Sequence, residues 1–148
     1  MPNWCDNALI VTGPQKEIER FKEFVKGEDG ALLDANKLIP YPKDLTGEQL
    51  KYWRIENWGT KWGFCDTELI KETEQELKYH FDTAWSPPLP LIEKAGELFP
   101  ALRFSLHYYE PLMEFQGTFE MERGLVIQDS ETRLDLYEED GRAKGTNK

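Results

Sequence analysis

The sequence is short of the residues that most often carry chemistry. It holds two cysteines, Cys5 and Cys65, and two histidines, His80 and His107, in 148 residues. The cysteines form no CxxC pair and have no metal-ligand spacing, so a zinc ribbon, a dithiol redox motif and a four-cysteine iron–sulfur set are all excluded. Neither HxH nor HExxH occurs, and there is no GxSxG elbow, P-loop or GxGxxG fingerprint. We therefore expect no metal and no cofactor, and assign no catalytic residue. No apolar run approaches the length of a membrane span. The chain opens Met-Pro-Asn-Trp-Cys, without the basic segment and apolar run of a secretory signal. The expectation is a cytoplasmic protein with reduced thiols and no membrane partner. Each cysteine then reads as a small buried apolar residue.

Positive charge is also scarce. Lys and Arg number 18 against 28 Asp and Glu, for a formal net charge of −10. Proteins that hold nucleic acid neutralise phosphates with a basic surface, so the global balance disfavours that class and leaves only a local basic patch open. An acidic surplus mainly keeps a protein soluble. A rarer reading is an acidic mimic of DNA, with carboxylates in place of phosphates.

What is present is globular: 39% hydrophobic, 31% charged and 13% aromatic residues, with five tryptophans. This length suits one domain, read here as 1–135, followed by a polar, flexible tail at 136–148. Trp4–Thr12 reads as a strand. Ala8 and Ile10 on one side and Leu9 and Val11 on the other suggest a central strand covered on both faces. Pro14–Lys26 is amphipathic, with Ile18, Phe21, Phe24 and Val25 at helical spacing and Gly27 as its stop. Residues 28–45 read mostly as loop, followed by a short helix at Glu48–Arg54 capped by Asp44 or Thr46. Asn57 and Gly59 predict a turn, and Lys61–Asp66 a strand. Thr67–Thr73 and Glu76–Ala84 form a hairpin, although the residues before Glu76 also have helical propensity. Ser86 reads as an N-cap ahead of Pro87, Pro88 and Pro90. The helix that follows buries Leu91, Ile92, Ala95, Leu98 and Phe99. Leu102–Tyr109, Phe115–Met121 and Leu125–Gln128 are further strands. This order predicts an α+β, ferredoxin-like (split βαβ) antiparallel sheet with two helices on one face. A C-terminal β-hairpin either extends the sheet or covers its other face.

Five phrases are more specific than the composition: MPNWCDNALIVTGP, NKLIPYP, IENWGTKW, FDTAWSPPLP and HYYEP. In this order they resemble the YubB-type ferredoxin-like domains of phage, plasmid and bacterial proteins, a family counted among domains of unknown function. The resemblance runs from Met1 to about Phe119 and finds no motif beyond Glu120. It implies the fold and a connection with mobile genetic elements, and it supplies no catalytic residues.

Trp4, Trp58, Trp62 and Trp85 each stand beside polar or turn-forming residues, among them Asn3, Asn57, Gly59, Lys61, Asp82 and Ser86. One explanation is structural: the rings wedge loops against the sheet, and Asn57 and Asp82 tie down loop N–H groups. The other is a shared binding surface in which the rings stack a ligand or partner and Asn, Asp and Lys orient it. The candidate residues are then Asn3, Trp4, Asn57, Trp58, Lys61, Trp62, Asp82, Trp85 and Ser86. His80 and His107 fall on strands that the topology separates by the first strand, so they are not expected to share a metal. Glu56, Asp82 and Glu110 are the carboxylates nearest the distinctive phrases and the candidates for acid–base chemistry, should a pocket gather them. Tyr109 and His107 share a strand face on which an RNA-binding sheet would stack bases, though without the basic residues that such a face needs. The leading expectation is a non-enzymatic module that meets a protein through its Trp-rich loops. A nucleic-acid role and a small-molecule enzyme are the alternatives.

Overall fold

A computed structural model describes residues 3–133. β1 (Trp4–Thr12) falls where the sequence predicts it, and the two-residue period of a strand sorts its side chains between the two faces. Cys5, Asn7, Leu9 and Val11 are buried, whereas Trp4, Asp6, Ala8 and Ile10 face the other way. β1 pairs antiparallel with β3 (Glu76–Ala84) on one side and β4 (Arg103–Glu110) on the other. With β2 (Cys65–Glu72), β5 (Phe115–Glu122) and β6 (Leu125–Arg133), the sheet runs β2-β3-β1-β4-β5-β6. The order β2-β3-β1-β4 is the split βαβ arrangement. The C-terminal hairpin extends the sheet beyond β4 and does not fold across its other face.

Helices cover one face. α1 (Gln15–Phe24) starts at Pro14, whose missing N–H costs nothing in a first turn. It buries Ile18 and Phe21, and the Phe21 ring sits edge-on to Phe99 (5.2 Å), Phe104 (5.3 Å) and Tyr79 (6.5 Å). α4 (Leu89–Leu98) buries Leu91, Ile92 and Ala95. It comes close to the sheet at Gly96, where a Cβ would stand 2.5 Å from Met121 Sδ. Each large apolar side chain buried here contributes about 1.5–3 kcal/mol.

Two further helices lie between α1 and β2, so the described residues hold four helices: the two expected over the sheet, one where the sequence predicts a short helix at Glu48–Arg54, and one more. α2 (Ala35–Leu38) sits inside the stretch read as loop. The Asp34 carboxylate accepts the Asn36 N–H at 3.0 Å, and Ala35 and Leu38 are buried. α3 (Gly47–Trp58) is longer than its sequence signal and absorbs Asn57, ending at Gly59 with φ 80°. Lys61–Phe64 is not strand, because the ladder with β3 begins at Cys65. Ser86 does not cap α4. Pro88 takes that position, and the Ser86 hydroxyl is used elsewhere.

The opposite face of β1 carries no second layer among the described residues, which corrects the expectation of a strand covered on both sides. Ala8 and Ile10 are half-buried there because their cross-strand neighbours shield them: Ala8 lies between His80 and His107, and Ile10 between Lys78 and Ser105. The tail predicted at 136–148 lies outside the described residues. Among those residues, no helix is long and apolar enough to cross a membrane.

Candidate interaction surface

Three of the Trp-bearing phrases meet at one end of the sheet, tied by hydrogen bonds. The Trp85 N–H donates to the Asn3 carbonyl (2.7 Å), and the Ser86 hydroxyl to the Gly59 carbonyl (2.5 Å). The Thr60 hydroxyl donates to the Ala84 carbonyl (2.9 Å), and the Thr83 hydroxyl to the Ser86 carbonyl (2.7 Å). These bonds hold Trp85 at φ 74°, a left-handed conformation that costs a non-glycine residue about 1–3 kcal/mol. Asn3 thus acts through its backbone carbonyl, and Ser86 through its hydroxyl and its carbonyl, fixing where the loops stand.

The tryptophans divide into two kinds. Trp58 is 4% exposed, its indole N–H donates to the Ile39 carbonyl (2.8 Å), and its ring meets Tyr41 and Trp53 edge-on. It belongs to the core. The Asn57 amide donates to the Trp53 carbonyl within the same helix (2.9 Å) and ties down no loop N–H. Trp4, Trp62 and Trp85 are 36%, 42% and 48% exposed. The Trp4 and Trp62 rings pack at 5.9 Å, tilted by 44°, and the Lys61 ammonium lies 4.8 Å from the Trp62 ring centre.

Asp82 lies on the open face of the sheet, directly opposite Asp6 in the ladder. Burial first, and then the charges of Asp6 and Asp66, push its carboxyl above the usual range, against a lowering effect of His80. His80 Nε2 is 2.7 Å from Asp6 Oδ1. His107 stands across β1 from His80, with its Nδ1 3.3 Å from the Thr118 hydroxyl. Beside it is an open groove of about 410 Å³ bounded by Asp6, His107, Tyr109, Gln116, Thr118, Ser130 and Thr132. Arg103 on the same face is paired with Glu120 (3.0 Å) and Glu122 (2.5 Å).

Residues 58–146 match the family model described as the ferredoxin-like domain in Api92-like protein. The chain belongs to this Api92-like family. A solved structure, a protein api92 from Yersinia pseudotuberculosis, superposes with a TM-score of 0.73 at 11% identity, covering 89% of this chain and 98% of that one. At that identity the likeness speaks for the fold alone. No curated protein matches. The Api92-like match includes the region beyond Glu120 where the sequence showed no recognisable phrase, and it supports a ferredoxin-like family without the YubB designation.

On this Api92-like fold the three candidate carboxylates do not converge. Glu56 is exposed on α3. Glu110 is fully buried on the helix-covered side, where it accepts the Met113 N–H. Asp82 alone lies on the open face. The groove beside His107 was missed because its far wall, Ser130 and Thr132, comes from β6, whose register is set by a hairpin with a bulge between Glu120 and Met121.

Proposed function

We propose that this domain is a non-enzymatic protein-interaction module whose partner presents a basic, partly apolar segment to the Trp4–Trp62–Trp85 end of the sheet. The observation that carries this reading is the exposure of three indoles on loops whose backbones are pinned by hydrogen bonds. A rigid aromatic surface loses little entropy on binding, and Trp dominates interface energetics. The net charge of −10 and the nearby Asp6, Asp66 and Asp82 favour a cationic partner over phosphate. Lys61 over Trp62 is an internal example of an ammonium attracted to one of these rings. The finer reading is a YubB-type module of mobile genetic elements working in the cytoplasm. It rests on the five phrases between Met1 and about Phe119, the scarcity of cysteine and the lack of a signal-like opening segment.

The test is selection of a random-peptide display library on wild type and on a Trp62→Ala/Trp85→Ala variant shown to be folded by circular dichroism, in the presence of a chelator. Wild type is expected to enrich Lys- and Arg-containing peptides with apolar neighbours, and the variant to lose them. Enrichment that survives the double substitution, or that favours acidic peptides, would overturn the reading.

A further inference from the structure

The structure assigns a divalent-cation site to Asp6, His80 and Asp82 on the open face of the sheet. One ligand atom from each of these side chains lies within 4.8 Å of the others. The ladder explains why they are together. Asp6 is opposite Asp82, and His80 precedes Asp82 by two positions, so all three project from the same face of neighbouring strands. Like charges directly opposite in a ladder destabilise it, and Asp6 faces Asp82 in this way. A dication bound between them offsets that repulsion.

The donor set also suits a particular kind of ion. One imidazole with two carboxylates fits zinc or another first-row dication better than magnesium or calcium, which prefer all-oxygen shells. His80 Nε2 and Asp6 Oδ1 stand 2.7 Å apart. Donors at about 2.0–2.2 Å from zinc in a tetrahedral shell are roughly 3.3 Å from each other, so the His80–Asp6 pair must open slightly and the wider pairs, within 4.8 Å, must close toward that spacing by side-chain rotation. Three protein ligands leave at least one position open. Asp6 also borders the groove beside His107 and Tyr109, so that position is accessible to water or to an incoming donor. His107 lies across β1 and is not a ligand.

The experiment is isothermal titration calorimetry of ZnCl2 into tag-free, chelator-treated full-length protein, with melting temperature as a second readout. Wild type is expected to bind one zinc per chain and to melt higher when loaded. His80→Ala and Asp82→Asn should each weaken binding tenfold or more and abolish the melting shift, whereas His107→Ala should change affinity less than twofold. Asp82→Asn removes a like-charge contact and so keeps the fold. The assignment is overturned if wild type binds zinc no more tightly than His80→Ala, or if His107→Ala weakens binding as much. Because the titration does not involve Trp62 or Trp85, its outcome is independent of the peptide-binding reading.

Discussion

At the scale of single residues, neighbours with similar sequence surroundings do different work. Trp58 and Trp62 sit four positions apart in one phrase, yet one fills the core and the other faces solvent. Trp58→Ala is expected to cost about 3–5 kcal/mol in a urea melt, as large aromatic truncations in cores do. Trp62→Ala should cost less, about 0.5–1.5 kcal/mol, because its ring packs on Trp4 but stays 42% exposed. Asp82→Asn should stabilise metal-free protein by about 0.2–1 kcal/mol at neutral pH, the size of a cross-strand like-charge pair. Buried acids give a pH prediction. Burial pushes the Cys5 thiol up from 9.0 to about 12 and raises the Tyr79 and Tyr108 hydroxyls as well. The folded state then holds protons that the unfolded chain releases, so the stability from these groups is complete below about pH 8.5 and is lost as pH rises towards 12. Urea midpoints should fall steadily above pH 9, and less steeply in Cys5→Ala. A flat alkaline profile would contradict the burial argument.

At the scale of elements, legibility followed periodicity. β1 was read to its ends from its apolar run Ala8–Val11 bounded by Gly13 and Pro14, and β3 from the alternation of Leu77, Tyr79, Phe81 and Thr83 with polar residues. α1 and α4 were read from apolar residues at helical spacing. α3 was foreshortened because its apolar and polar residues do not segregate: only Trp58 is buried along it, and Tyr52 and Ile55 are exposed. α2 is a single turn anchored by Asp34, too short for periodicity to register. The link from α3 to the Trp loops depends on Gly59, where φ is 80° and a Cβ would stand 2.6 Å from Pro90 Cδ. Gly59→Ala meets both the left-handed penalty and this contact, so it should destabilise the domain by about 1–3 kcal/mol. It should also change the fluorescence of the exposed tryptophans by displacing their loops. An unchanged spectrum would show that the loops do not depend on this turn.

At the scale of the whole molecule, chain order was enough to predict the sheet, because two β-α-β units with short hairpins leave few ways to bury two amphipathic helices. The candidate surface was only half legible. The phrases that meet were identifiable from their composition, but which indole points outward depends on where α3 ends and on hydrogen bonds such as Ser86 to Gly59, between residues 27 positions apart. The Asp6–His80–Asp82 cluster was passed over because the two histidines were weighed together, whereas the ladder puts His80 with carboxylates on its own side of β1. The central claim is that the exposed indoles form a binding surface while the buried ones support it. The five tryptophan side-chain N–H signals in a two-dimensional ¹⁵N–¹H spectrum test this directly, during titration with a peptide selected on wild type. The account predicts that the Trp4, Trp62 and Trp85 signals move and those of Trp53 and Trp58 stay. Movement confined to Trp53 and Trp58, or no movement on saturation, would contradict it.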